Sequence, residues 1–199
     1  VNVVDTTKPN LTLEGDNPIT IEVFSDYSEP GFSVSDNYDD LTEDDVDVDK
    51  SDLDTSTLGT YTIDYSVEDS SGNSVSKSRT VNVVDTTKPN LTLEGDNPQT
   101  IQKGESYNEL GATASDNYDG NLTENITIDS SDVDTSTIGT YTVSYSVEDS
   151  SGNSREKNRT VEVIESTPPQ ITVVSPNTSQ KYYGFVKFVI ETDENATAK

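Results

Sequence analysis

The sequence predicts an all-β protein built from tandem Greek-key β-sandwiches, and three observations carry that prediction. The chain repeats itself with a period of 80 residues: residues 54–73 return as 134–153 with 17 of 20 identical, and residues 1–18 return as 81–98 unchanged. Within the repeat, Tyr61, Ile63, Tyr65 and Val67 alternate with Thr60, Thr62, Asp64, Ser66 and Glu68, the period-two pattern of a strand with one buried face. Asp69-Ser-Ser-Gly-Asn73 then closes that strand in turn chemistry, because Gly and Asn tolerate positive φ while Asp and Ser bond back to the backbone. At its start, Leu58-Gly59-Thr60-Tyr61 looks like a tyrosine corner, in which a Tyr early in a central strand ties down the crossing loop.

Taken in order, the first repeat is expected to form strands near 10–14, 19–23, 31–35, 45–49, 52–55, 60–68 and 74–83. The second repeats them near 90–94, 99–102, 111–115, 125–129, 132–135, 140–148 and 154–163. In the fourth strand Val46 and Val48 point inward and Asp45, Asp47 and Asp49 outward, with Ile126 and Ile128 as the inward pair of the second copy. Arg79, Val81 and Val83 share one face of the last strand, as do Arg159, Val161 and Val163. Seven short strands at regular spacing, separated by turn signals, describe an immunoglobulin-like sandwich.

The same reading gives the domain bounds. Residues 1–4 are the tail of a preceding domain, 5–84 and 85–164 are two complete domains, and 165–199 are a linker with the first half of a third. Asp5-Thr-Thr-Lys-Pro9, Asp85-Thr-Thr-Lys-Pro89 and the degenerate Glu165-Ser-Thr-Pro-Pro169 are linkers, their prolines stiffening φ and denying a sheet its donor. In the third segment, strands at Gln170–Val174 and Phe185–Thr192 leave unpaired edges. A continuation of the same chain, or a strand donated by a neighbouring copy, is expected to complete that sandwich.

Composition narrows the function. Acidic residues outnumber basic ones 38 to 12, for a net charge of −26, and only 29% of residues are hydrophobic. Nucleic acid and anionic membrane both need a basic footprint and are disfavoured as partners; cations are favoured. Without Cys there is no disulfide, and without His or Met the usual transition-metal ligands and the commonest general base are missing. No stretch is apolar for long enough to insert in a membrane.

Assembled, the motifs read Asp-Thr-Thr-x-Pro, then Gly-x-x-x-x-Asp-x-x-Asp-Gly, then Gly-x-Tyr-x-Val-x-Tyr-x-Val-x-Asp-x-x-Gly-Asn, then Arg-x-Val-x-Val. This pattern resembles the Ig-like repeats of bacterial and archaeal surface proteins, a hyalin-repeat-related type also found attached to a pesticidal crystal protein. The second repeat fits through Gly111, Asp116, Asp119, Gly120, Gly139, Tyr141, Asp149, Gly152, Asn153 and Arg159, whereas the first carries Asp40 where the pattern has Gly. Residues 170–199 resemble a different Ig-like subtype common in archaeal surface-layer proteins. The resemblance implies an extracellular, cell-surface protein of envelope-building or adhesive character, in a surface layer, stalk or filament, with neighbouring copies or other envelope proteins as partners. A carbohydrate- or receptor-binding adhesin module, or accessory domains of a secreted hydrolase, are the alternatives.

Three constellations are candidates for chemistry. Asp36 and Asp39, with Asp116 and Asp119 in the second copy, lie in the loop after the third strand, and Asp69 and Asp149 open the loop before the last one. In a Greek-key sandwich both loops reach the pole where the chain enters, beside Asp5 and Asp85. Calcium takes six to eight oxygen ligands of this kind, so the eight aspartates are expected to hold calcium and stiffen the domain junctions. Glycosylation sequons occur at Asn10, Asn90, Asn121, Asn125, Asn158, Asn177 and Asn195; Asn10, Asn90, Asn125 and Asn158 are expected on outward strand faces. Paired carboxylates such as Asp44 and Asp45 are the one arrangement reminiscent of acid–base catalysis. A solvated acidic face explains them better, and the chain is expected to be no enzyme.

Overall fold

The computed structural model describes residues 3–165. The expected third-segment strands, Asn177 and Asn195 lie outside those residues, as do Val1 and Asn2. Each repeat forms two sheets. In the first, β1 (Asn10–Leu13) pairs with β3 (Phe32–Ser35), while β2 (Ile19–Glu22), β6 (Ser74–Val84), β5 (Gly59–Glu68) and β4 (Asp47–Asp49) form a four-stranded sheet in that order. In the second, β10 (Gly120–Asn121), β9 (Ala112–Asp116) and β7 (Asn90–Leu93) form one sheet in that order, and β11 (Thr127–Asp129), β12 (Gly139–Glu148), β13 (Ser154–Ile164) and β8 (Gln99–Gln102) form the other. The β2–β6 and β8–β13 pairs are parallel, so each four-stranded sheet is mixed.

The alternation behaves as expected. Leu11, Val46, Ile63, Tyr65, Val67 and Val81 form the core of the first repeat, and Phe32 packs edge-on against Tyr65 at 5.4 Å between ring centroids. The tyrosine corner is present in both copies: the Tyr61 hydroxyl donates to the Thr57 carbonyl and Tyr141 to Thr137, each at 2.9 Å.

Three expectations need correction. No strand forms at 52–55 or 132–135; both segments are turns. The Asp54 carboxylate accepts hydrogen bonds from the Ser56 amide and hydroxyl and the Thr57 hydroxyl, and Asp134 accepts from Ser136. These local bonds satisfy the backbone and compete with a ladder. Asp45 and Asn125 belong to 3₁₀ turns, Glu43–Asp45 and Thr123–Asn125, rather than to strands. Asp45 caps its turn by accepting from the Thr42 amide at 2.7 Å, and that bond holds its carboxyl below the usual value, the reverse of a catalytic acid. Ile128 is 40% exposed, on a three-residue strand at the sheet edge with a neighbour on one side only.

Asp40 also has its consequence. Gly120 takes φ +72°, which lets residues 117–119 turn tightly and β10 pair back on β9 with Gly120 opposite Asp116. A residue with a β-carbon rarely adopts that conformation, and the first repeat has no counterpart of β10.

A buried polar network fastens each sandwich. The Arg79 side chain is 0% exposed; it donates to the carbonyls of Asp16, Glu14 and Gly31 and to the Tyr65 hydroxyl, and pairs with Glu29 at 3.3 Å. Arg159 does the same with Asp96, Glu94, Gly111 and Tyr145. Outside these networks the Gln99 Oε1 is buried with no partner, at the position where the first repeat has Ile19. Gln99→Ile is expected to raise the melting temperature, because an unpartnered buried acceptor costs about 1–3 kcal/mol. A fall would mean that the bond from Gln99 Nε2 to the Asn108 carbonyl (2.9 Å) outweighs the orphaned oxygen.

By backbone packing the described chain divides into two compact units. Residues 3–91, 114–126 and 147–155 make up the first, and the remaining residues the second. The six clustered aspartates Asp5, Asp36, Asp69, Asp85, Asp116 and Asp149 lie in the first unit.

Candidate functional site

Three short segments build each acidic cluster: the stretch ahead of the repeat's first strand, the loop after its third, and the turn between its two long strands. Asp5, Asp36 and Asp69 each offer a carboxylate oxygen within 4.8 Å of the others, and so do Asp85, Asp116 and Asp149. Each aspartate is fixed by its own loop. Asp69 Oδ1 accepts from the Ser71 and Asn73 amides and its Oδ2 from the Asn73 side chain, at 2.7–2.9 Å. Asp149 repeats these bonds with Ser151 and Asn153. Asp36 accepts from the amides of Tyr38 and Asp39, and Asp116 from those of Tyr118 and Asp119. Asp5 accepts from the Thr7 amide and Asp85 from the Thr87 amide, each at 3.0 Å. Asn73 and Asn153 then donate to the carbonyls of Asp5 and Asp85, fastening the turn to the entering segment.

These bonds engage one oxygen of Asp5, Asp36, Asp85 and Asp116 and leave the other bare. Asp5 Oδ2, Asp36 Oδ1, Asp85 Oδ2 and Asp116 Oδ2 are buried without a hydrogen-bond partner. Asp85 is only 6% exposed. Its burial, with the negative charges of Asp116, Asp149 and Glu22, raises its carboxyl above the ordinary value against one opposing bond from Thr87. Asp69 goes the other way: burial pushes it up, but bonds from Asn73, Ser71 and Gly72 outweigh that and hold it low. Two unit charges ~4 Å apart repel by about 4 kcal/mol at an effective dielectric of ~20. The donor set fits a hard cation. Oxygens that share one calcium ion stand no more than ~4.8 Å apart, and those of each cluster meet that limit.

Asp39 and Asp119 do not join the clusters. Asp39 accepts from the Ser70 amide and hydroxyl and Asp119 from those of Ser150, at 2.9–3.0 Å, which braces one acidic loop against the other. The role of Asn73 and Asn153 as fasteners escaped sequence reading, which saw only turn formers; their recurrence four residues after Asp69 and Asp149 is the signal that marks them. Glu22 escaped it too. Its carboxylate accepts from the amides and hydroxyls of both Thr86 and Thr87. These bonds, the Thr86 hydroxyl first, lower its pKa to about 2. Among the sequons, Asn10, Asn90, Asn121, Asn125 and Asn158 are all exposed. The Asn121 side chain accepts from the Thr123 amide at 3.0 Å.

Known proteins share parts of this chain. A pesticidal crystal protein of Bacillus thuringiensis, Cry22Aa, is 37% identical over 107 residues, which are 51% of this chain and 14% of that protein. A lipoprotein of Bacteroides thetaiotaomicron matches 40% of this chain and 39% of its own at 32% identity, with a TM-score of 0.36. A structure of the CBM51-2 domain, in complex with GlcNAc, and INT domains of Clostridium perfringens ZmpB matches 39% of this chain and 17% of its own at 35% identity, with a TM-score of 0.33. Residues 11–83 and 91–163, the two sandwiches, both match one family. The chain belongs to the bacterial surface protein, Ig-like domain family.

Proposed function

We propose that this chain is a non-catalytic structural part of an extracellular surface protein, and that divalent cations, calcium above others, bind its two aspartate clusters and stiffen the segments entering each repeat. One observation carries the reading. The same two oxygens, one on the entering aspartate and one on the loop aspartate, are buried and unpartnered in both repeats, beside a third carboxylate. A buried acceptor without a donor is costly, and a cation satisfies several at once. Oxygen-only donors select hard cations over transition metals, and the flexible six-to-eight-oxygen coordination of calcium asks less exact geometry of three separate segments than the strict octahedron of magnesium. Bound calcium would neutralise the cluster and join the entering segment to both loops, with Asp5, Asp36 and Asp69, or Asp85, Asp116 and Asp149, as the holding groups. Assembly with neighbouring copies in a surface layer, stalk or filament, and glycans on the exposed sequons, belong to the same reading.

Thermal melting of the full chain tests it. Calcium is expected to raise the melting temperature over that in chelator, since an ion that binds only the folded state stabilises by about 2.7 kcal/mol at a hundredfold excess over Kd. Asp116→Ala is expected to abolish the gain in the second repeat. Equal melting temperatures with calcium and with chelator would leave both clusters as polar turns.

A further inference from the structure

Glu22 and Phe24 sit at the end of β2 and have no equivalents in the second repeat, where the same positions hold Gln102 and Gly104. Each holds one of the two segments that carry the unpartnered oxygens of the Asp85 cluster. The Glu22 carboxylate gathers the amides and hydroxyls of Thr86 and Thr87, the residues directly after Asp85. The Phe24 ring meets Tyr118 of the Asp116–Asp119 loop, 6.1 Å between centroids and tilted by 42°. All of these residues fall in the first compact unit.

Phe24 is unusual in its backbone as well. It has φ +65° and is the one non-glycine with positive φ among the described residues, while Gly104 takes φ +89° in the same turn. A β-carbon disfavours that conformation. The ring is 55% exposed, so the core does not require it. Its contact with the Asp116 loop is what a phenylalanine adds there and a glycine does not.

We propose that Glu22 and Phe24 are positioning residues for the Asp85–Asp116–Asp149 cation site, presetting the spacing of the Asp85 and Asp116 carboxylates before the ion arrives. The inference rests on the cation reading above, and on Asp85, a member of the cluster that is nine-tenths buried with its Oδ2 unpartnered. Holding ligands in place from outside raises metal affinity. The two sites of the chain would then differ in kind: the second is organised by side chains of β2 as well as by its own loops.

The test uses the full chain and terbium(III), whose luminescence Tyr38 and Tyr118 sensitise beside the two clusters, displaced by titrated calcium. In an Asp36→Asn background, where the second site alone reports, Glu22→Gln and Phe24→Gly are each expected to weaken calcium binding about tenfold or more. Phe24→Tyr should restore it. In an Asp116→Asn background, where the first site reports, neither change should matter. Phe24→Gly carries its own control. Glycine takes the positive φ without strain, so the melting temperature in chelator should hold or rise while calcium binding weakens, a combination that loss of fold cannot produce. Calcium binding that is present but unmoved by Glu22→Gln and Phe24→Gly would overturn this inference alone. A wild-type chain that binds neither terbium nor calcium would overturn the cation reading and this inference with it.

Discussion

Arg79→Met is expected to cost the first repeat about 3–5 kcal/mol, the scale for breaking one partner out of a buried ion pair. The guanidinium is fully buried, and its fork is saturated by three backbone carbonyls and the Tyr65 hydroxyl, with Glu29 as counter-ion. Methionine fills much of the volume but strands those acceptors and takes the guanidinium from Glu29, which keeps only the half-exposed Lys50 ammonium at 3.7 Å as a cation. A repeat of this size has roughly 4–12 kcal/mol to lose, at about 0.05–0.15 kcal/mol per residue. The loss is therefore a large fraction of the total. Arg79→Lys should rescue little, because one ammonium cannot span three carbonyls that a planar fork reaches together. Arg159→Met should do the same to the second repeat, through Asp96, Glu94, Gly111 and Tyr145. Urea denaturation followed by tyrosine fluorescence reads both. A midpoint moved by less than a tenth would mean that solvent replaces the guanidinium.

Acid should have the second-largest effect. Glu22, Glu29, Glu109 and Asp69 all have carboxyls held below their ordinary values in the folded chain. For Glu29 burial pushes upward, but hydroxyl bonds from Tyr65 and Tyr27, the Gly31 amide and Arg79 outweigh it. Glu109 repeats this with Tyr107, Tyr145, Gly111 and Arg159. A group with a depressed folded pKa contributes stability that is complete above its unfolded pKa and lost as pH falls through the folded one. For Glu22 that window runs from 4.5 down to about 2. Asp85 has the opposite sign: its raised pKa means that protonation relieves the fold. It stands alone against these four and against Asp45, Asp49, Asp54, Asp129 and Asp134, whose carboxyls are also held low by hydrogen bonds. Relief of self-repulsion as the chain approaches its pI of 4.1 also favours the fold down to that point. In chelator, the melting temperature should pass through a maximum near about pH 4–5 and drop steeply below it. A melting temperature still rising or flat at about pH 2.5 would contradict these assignments.

Much of the fold was legible because it rests on period and alternation. Tyr61 to Val67 face the core as read, Arg79 lies buried in line with Val81 and Val83, and the tyrosine corner closes on Thr57. The turns at 54 and 134 were misread as strands because β-branched threonines disguised an aspartate that bonds to its own loop. The candidate site was legible in part. Loop connectivity alone brings the entering, third-loop and turn aspartates to one pole. It does not distinguish Asp36, with a bare oxygen, from Asp39, whose carboxylate is engaged by Ser70. Glu29 and Glu109 were invisible because they sit in irregular segments where no periodicity marks a buried residue. Glu22 looked like an ordinary polar strand residue, since its partners lie more than sixty positions away.

The most direct test of the cation sites is equilibrium calcium binding to the full chain, counted against two substitutions. The wild type should bind two ions, Asp36→Asn and Asp116→Asn one each, and the double variant none. No bound calcium in the wild type, or a stoichiometry that survives both substitutions, would contradict the placement of cations at the two aspartate clusters.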